Sequence, residues 1–175
     1  FGLDKLDDCL RGSSCLVTDP PFTSSGTRPL ADTDFIVFGY SQSATVASIQ
    51  KSDLIAHPPT ATVGLVLLAN PTRPNGGILE RFVGVRLPIL NVTFNGATVT
   101  NSPQPTPLTT VDVTHQYDPV ADFPTNPLNL LADLNVLIGM AYEHPEFGTG
   151  PPVLQGQFQD TTYYMVPTGT GGLPL

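Results

Sequence analysis

Basic side chains are scarce. Seven Lys and Arg stand against fifteen Asp and Glu in 175 residues, a net charge of −8, and Lys5 and Lys51 are the only lysines. A surface of that sign repels phosphate backbones and anionic headgroups, so nucleic acid is not expected as a partner. No apolar run approaches the roughly 20 residues that span a bilayer, which excludes a transmembrane segment from the reading. No charged-then-apolar stretch marks a signal peptide, and the chain reads as soluble and compatible with a piece excised from a longer protein. Tryptophan is missing, and there are only two cysteines and three histidines. Two thiols fall short of a structural zinc set, and with the histidines scattered, no metal or other cofactor is expected. The better use of Cys9 and Cys15 is a short-loop disulfide turned by Gly12-Ser13-Ser14, which places the protein in an oxidising, exported compartment; two reduced, unrelated thiols are the alternative. What the chain has in quantity is glycine (16) and proline (19), so connecting loops are many. The length fits one domain, residues 1–175, with a real core.

Leu3, Leu6 and Leu10 recur at helical spacing and predict a helix over 2–11 facing a core. A polar loop follows, in which Pro20-Pro21, Ser24-Ser25-Gly26 and Pro29 oppose regular structure. Phe35-Ile36-Val37-Phe38 is an unalternating apolar run and predicts a strand covered on both faces, as in a parallel sheet under helices. Residues 44–55 return to helical patterning, with Val46, Ala47, Leu54 and Ile55 on the apolar side. A second buried strand is expected over 63–69, halted by Asn70-Pro71. Residues 72–84 read as loop, since Pro74-Asn75-Gly76-Gly77 exclude helix. Residues 88–94 and 111–117 have strand character, separated by a linker with Pro103, Pro105 and Pro107. A long helix is predicted from Pro127, capped by Asn126 or Thr125, with Leu130, Leu134, Leu137, Ile138 and Ala141 packed on the sheet. The tail after Pro151-Pro152 reads as mostly loop, with Tyr163-Tyr164-Met165-Val166 an edge element. Strands alternating with helices predict an α/β sandwich with a mainly parallel sheet.

The chemistry concentrates at Gly39-Tyr40-Ser41-Gln42-Ser43. A serine between a buried strand and a helix, with small residues two positions before and after, has the form of a nucleophile elbow. The turn is tight, and larger side chains at those positions would collide. Ser43 stands where glycine is usual, a departure a small side chain accommodates. The elbow also sets Ser41 at a helix N-terminus, where the Gln42 backbone N–H can hold an oxyanion. The competing reading is a serine that only caps the helix.

A serine hydroxyl needs a base, and three histidines are available. His57 lies at the far end of the following helix, about 15–20 Å from the elbow at 1.5 Å per residue. His115 sits within the strand over 111–117, where a structural role is the ordinary one, and it stays as a second candidate. His144 precedes Pro145, which holds it extended, and a loop histidine there can reach the carboxyl edge of the sheet where sites of open α/β folds gather. For the orienting acid, Asp118 emerges at that edge directly after the strand; Asp122 is the alternative, with a loop-bracing role of its own. Asp112 and Asp133 are worse placed.

Three longer stretches carry a resemblance: residues 38–44 (Phe-Gly-Tyr-Ser-Gln-Ser-Ala), residues 69–77 (Ala-Asn-Pro-Thr-Arg-Pro-Asn-Gly-Gly), and residues 117–124 (Tyr-Asp-Pro-Val-Ala-Asp-Phe-Pro) running into 127–131. With the closing stretch from Thr161-Thr162-Tyr163-Tyr164 to Leu173-Pro174-Leu175, the chain resembles the PE-PPE domain, a mycobacterial branch of cutinase-like serine α/β hydrolases. The resemblance implies a cutinase-like three-layer fold and a catalytic set of Ser41, Asp118 and His144. It further implies hydrolysis of short to medium acyl esters or lipids, with acyl transfer to envelope glycolipids or a noncatalytic envelope module as alternatives. Secretion or a cell-envelope location and a fused N-terminal region are implied too. Family members carry a strand and loop ahead of the helix at 2–11 that supply a second oxyanion donor, and the chain is expected to lack that strand. Ile78, Leu79, Phe82, Phe123 and Phe147 are candidate acyl-site residues whose ordinary role is loop packing.

Overall fold

The computed structural model describes residues 2–12, 15, 17–19, 22–24, 34–89, 91–103, 108–126, 128–145 and 150–168. Helix α1 (Gly2–Arg11) is followed by a small antiparallel pair, β1 (Val17–Asp19) with β2 (Phe22–Ser24). The central sheet then begins: β3 (Phe35–Tyr40), helix α2 (Gln42–Ala56), β4 (Val63–Leu68). A short helix α3 (Ile78–Arg81) and a two-residue pair, β5 (Arg86–Leu87) with β6 (Val92–Thr93), lead to β7 (Thr110–His115). Helix α4 (Leu130–Tyr142), β8 (Val153–Phe158) and β9 (Thr161–Val166) complete the described elements. The five-stranded sheet has the order β3-β4-β7-β9-β8, with β3, β4, β7 and β9 parallel and β8 antiparallel on the far edge. This is a mixed α/β fold whose parallel strands all deliver their carboxyl ends to one rim.

The core sits where α1 and α2 cover β3 and β4. Leu10, Val37, Ala44, Ala47, Leu54, Val63, Leu65, Leu67 and Leu108 form one buried cluster. In β4 the buried residues alternate, as a pleated strand requires: Val63, Leu65 and Leu67 face the helices. Small Ala44 and Ala47 let α2 lie close on the sheet. The same helix buries polar groups that hydrophobic periodicity cannot reveal. Lys51 is fully buried and donates to Asp160 Oδ1 at 2.7 Å, and Gln50 donates to Asp7 Oδ1 at 2.8 Å. Burial opposes ionisation of Asp160, but hydrogen bonds from Lys51, Ser102 and Thr161 outweigh it and hold its carboxyl below the usual range. Cys9 and Cys15 are joined as a disulfide at the end of α1.

Several expectations need correction. β3 is covered on one face only: Ile36 is 76% exposed and Phe38 62%, because β3 is the outer strand of the described sheet and α2 lies over its other side. The long helix starts at Leu130 rather than Pro127, with Asn129 as its N-cap accepting from Ala132 N; Asn126 instead accepts from Leu128 N in a preceding turn, and Pro127 lies outside the described residues. Nor does α4 pack on the sheet. Leu130 is 81% exposed and Leu137 71%; Leu134 and Ala141 are also exposed, Ile138 is half-buried, and Gly139 is the helix's one buried residue. The tail is a hairpin, and the stretch 163–166 belongs to β9, an interior strand between β7 and β8. Residues 88–94 are no continuous strand, since Asn91 takes a φ of 50° and its N–H bonds Pro88 O, turning the chain between β5 and β6. The loop over 72–84 contains α3, which starts just past the two glycines. The polar loop carries β1 and β2, while Pro20, Pro21, Ser25, Gly26, Pro29, Pro105, Pro107 and the stretch 173–175 lie outside the described residues. No helix among the described residues is long and apolar enough to cross a membrane.

Candidate active site

Three strand ends meet the rim in strained backbone. Ser41 after β3 has a φ of 54°, Ala69 after β4 a φ of 47° and Tyr117 after β7 a φ of 65°. Left-handed conformations at non-glycine residues persist only where the surroundings impose them, and they gather at functional sites. At Ser41 the imposing contacts are visible. A side chain on Gly39 would place its Cβ 2.7 Å from Ala44 Cα and 2.8 Å from Ser43 O, so position 39 admits only glycine. Ser41 N–H continues the ladder to Leu68 O at 3.0 Å, while Ala44 N–H returns to Ser41 O at 2.9 Å and starts the helix. Ser43 does more than fit. Its Oγ accepts from Tyr40 N–H and donates to Tyr40 O, both at 2.8 Å, closing the open edge of β3 at the turn.

From this elbow the Ser41 Oγ lies 2.9 Å from His144 Nε2, and His144 Nδ1 lies 2.9 Å from Asp118 Oδ1. Asp118 is fully buried and also accepts from Val120 N–H at 2.9 Å. An ionised carboxylate can only accept, so Nδ1 carries the proton and Nε2 is left to accept from the serine hydroxyl. The Gln42 backbone N–H opens α2 immediately beside Ser41, with the helix N-terminus behind it.

The other candidates lie elsewhere. Asp122 accepts from Tyr117 N–H at 3.1 Å and braces the loop. His57 is exposed at the end of α2, 3.0 Å from Asp53. His115 is buried at the end of β7, with Nδ1 3.7 Å from Glu143 Oε2. Asp112 is occupied inside the fold: Arg73 donates to its Oδ1 at 2.5 Å and Asn70 to its Oδ2 at 2.9 Å. Of the candidate acyl-site residues, Phe82 packs edge-on against Phe94, Leu79 N–H bonds Pro71 O, Ile78 N–H bonds Val120 O, Phe123 N–H bonds Gly76 O, and Phe147 lies outside the described residues.

Two supports escaped the sequence reading. The stretch 69–77 is a buried polar knot, in which Asn70 Oδ1 accepts from Thr72 N and Oγ1 while Asn70 Nδ2 donates to Thr98. Its glycines let backbones touch: a Cβ on Gly76 would sit 2.4 Å from Ala121 O. The knot therefore braces the loop that carries Asp118. The second is Tyr40, whose hydroxyl donates to His144 O at 2.5 Å and whose ring stacks beside the imidazole with centroids 5.6 Å apart. Among the described residues no group of three or more His, Cys, Asp or Glu side chains is arranged to hold a metal ion.

Comparison with known proteins adds a second line. A family model described as the PE-PPE domain matches residues 2–175. The chain is 42% identical over 151 residues to a protein named Esterase PE16 from Mycobacterium tuberculosis (strain ATCC 25618 / H37Rv), covering 78% of this chain and 28% of that protein. To PE family protein PE3 of the same strain it is 40% identical over 146 residues, covering 75% of this chain and 30% of that protein. To the uncharacterized PPE family protein PPE28 of that strain it is 42% identical over 120 residues, 67% of this chain and 18% of the other. The chain thus spans under a third of the length of these relatives. No solved structure matches.

Proposed function

This chain belongs to the PE-PPE domain family, and from that premise we propose that it is a serine esterase acting on short to medium acyl esters, with Ser41 as nucleophile, His144 as base and Asp118 as orienting acid. The observation that carries the reading is the unbroken line from Ser41 Oγ through both His144 nitrogens to a fully buried Asp118, each link 2.9 Å. The name of the relative Esterase PE16 supports the same class.

The chemistry follows from the atoms. His144 Nε2 takes the Ser41 proton as Oγ bonds to the ester carbonyl carbon, and the carbonyl oxygen becomes an anion facing the Gln42 N–H. Asp118 fixes the imidazole tautomer and stabilises the imidazolium without itself taking the proton. The ester C–O bond then breaks, the alcohol leaves with the proton from Nε2, and an acyl-serine remains. Water, deprotonated by the same nitrogen, attacks the acyl carbon and returns the serine as the acid departs. The Cys9–Cys15 disulfide supports a secreted or envelope location, where oxidised thiols persist.

Fluorophosphonate labelling tests the assignment. The native protein is expected to take one covalent adduct on Ser41 and the Ser41→Ala protein none; an unlabelled native protein, or an adduct that survives the substitution, contradicts it.

A further inference from the structure

His144 stands on an element with one buried anchor. It follows α4, where Gly139 alone is buried, and is itself followed by Pro145. A general base must nevertheless be held within about 0.5 Å of its working geometry. Asp118 and Ser41 meet the two His144 ring nitrogens, and the His144 N–H bonds Gly139 O at 2.9 Å, which leaves the face of the ring and the His144 carbonyl to be held.

Two contacts from Tyr40 hold these, and both lie outside the Ser41–His144–Asp118 line. Tyr40 Oη donates to the His144 backbone oxygen at 2.5 Å, while the Tyr40 ring lies nearly parallel to the imidazole at 17°. One residue earlier, the Glu143 carboxylate stands 3.7 Å from Nδ1 of the buried His115, beyond hydrogen-bond length. Tyr40 is well placed for this role because it is the last residue of β3, in register with Leu68 on the neighbouring strand, and it directly precedes Ser41. Burial, and then the charge of Asp118, raise the Tyr40 hydroxyl above its ordinary value, so it stays a donor through the neutral range.

We infer that Tyr40 is a positioning residue for the base, holding the His144 main chain by its hydroxyl and the imidazole by its ring. Nucleophile and proton acceptor are thereby referred to one strand end. The inference rests on the esterase reading above.

Tyr40→Phe keeps the ring and removes the hydroxyl. On a soluble short-chain ester, kcat is expected to fall about tenfold, while KM and Tm keep their native values. Tyr40→Leu, which also removes the stacked ring, is expected to lose about a hundredfold in kcat. A residue that served only to hold the fold together would instead lower Tm, or move KM with kcat. Native protein that labels at Ser41, with Tyr40→Phe turning over at the native rate, overturns the positioning role and leaves the esterase reading standing. Native protein that neither hydrolyses the ester nor labels overturns both.

Discussion

The two halves of the candidate site are built by different means. Ser41 sits on a turn whose shape is dictated by packing: Gly39 against Ala44 on one side, the buried face of α2 on β3 and β4 beneath it. His144 sits at the end of a helix whose one buried residue is Gly139, with Leu130, Leu131 and Leu137 exposed, and it is held by separate polar contacts from Tyr40 and Asp118. The nucleophile is therefore fixed by the core and the base by a few named atoms. Substitutions in the core beneath the first side should cost stability before they reveal any chemistry; substitutions among the polar contacts of the second should change rate while the fold persists.

That contrast can be broken most severely at Lys51. Replacing it with Met strands the Asp160 carboxylate, 4% exposed, without its cation under the nucleophile helix, and stability is expected to fall by about 3–5 kcal/mol. The pH dependence has a definite sign. Because the folded carboxyl of Asp160 is held below its unfolded value, its ionisation stabilises the fold above about pH 4, and the contribution is lost as pH falls through the folded value. Lys51→Met removes the principal donor, so the stability gap between native protein and variant should be full near neutral pH and narrow as pH falls through the folded value; a gap that stays constant in urea titrations at several pH values would refute this. A matched pair of leucines sharpens the comparison with smaller effects. Leu54→Ala, in the core cluster, is expected to cost about 2–5 kcal/mol, whereas Leu137→Ala on α4 should stay within about 0.5 kcal/mol. Equal losses by chemical denaturation would mean that the α4 leucines are packed as closely as the core.

The same contrast explains what was legible in the chain. Phe35 to Tyr40 and the helix after it are visible as an apolar run and a helical period, although the run overstates the coverage of β3, and the glycine at 39 declares the tight turn. The polar half is less visible. Lys51 on α2 reads as an ordinary surface charge, since its partner Asp160 lies 109 positions away and a long-range ion pair leaves no local periodicity. Tyr40 reads as a strand aromatic, because its partner at residue 144 is fixed by the fold rather than by spacing. The leucines of α4 mislead in the other direction. An apolar helix predicts a buried face, yet the close approach of Gly139 to Tyr117 O, 2.3 Å from where a Cβ would stand, docks the helix by its smallest residue and leaves the leucines outward. Asp118 is preferred in the sequence because it directly follows the strand, and contact adds that it meets the imidazole while Asp122 braces the loop at Tyr117 N–H.

Whether Ser41, His144 and Asp118 act as one unit is tested most directly by a combined kinetic series on a soluble short-chain ester, comparing kcat/KM for Ser41→Ala, His144→Ala, Asp118→Asn and the Ser41→Ala/His144→Ala double variant. The expected result is a loss on the order of 10⁴-fold or more in each single variant and no additional loss in the double one, as a shared mechanism requires. Losses that multiply in the double variant, or native turnover without the Ser41 hydroxyl, would contradict it.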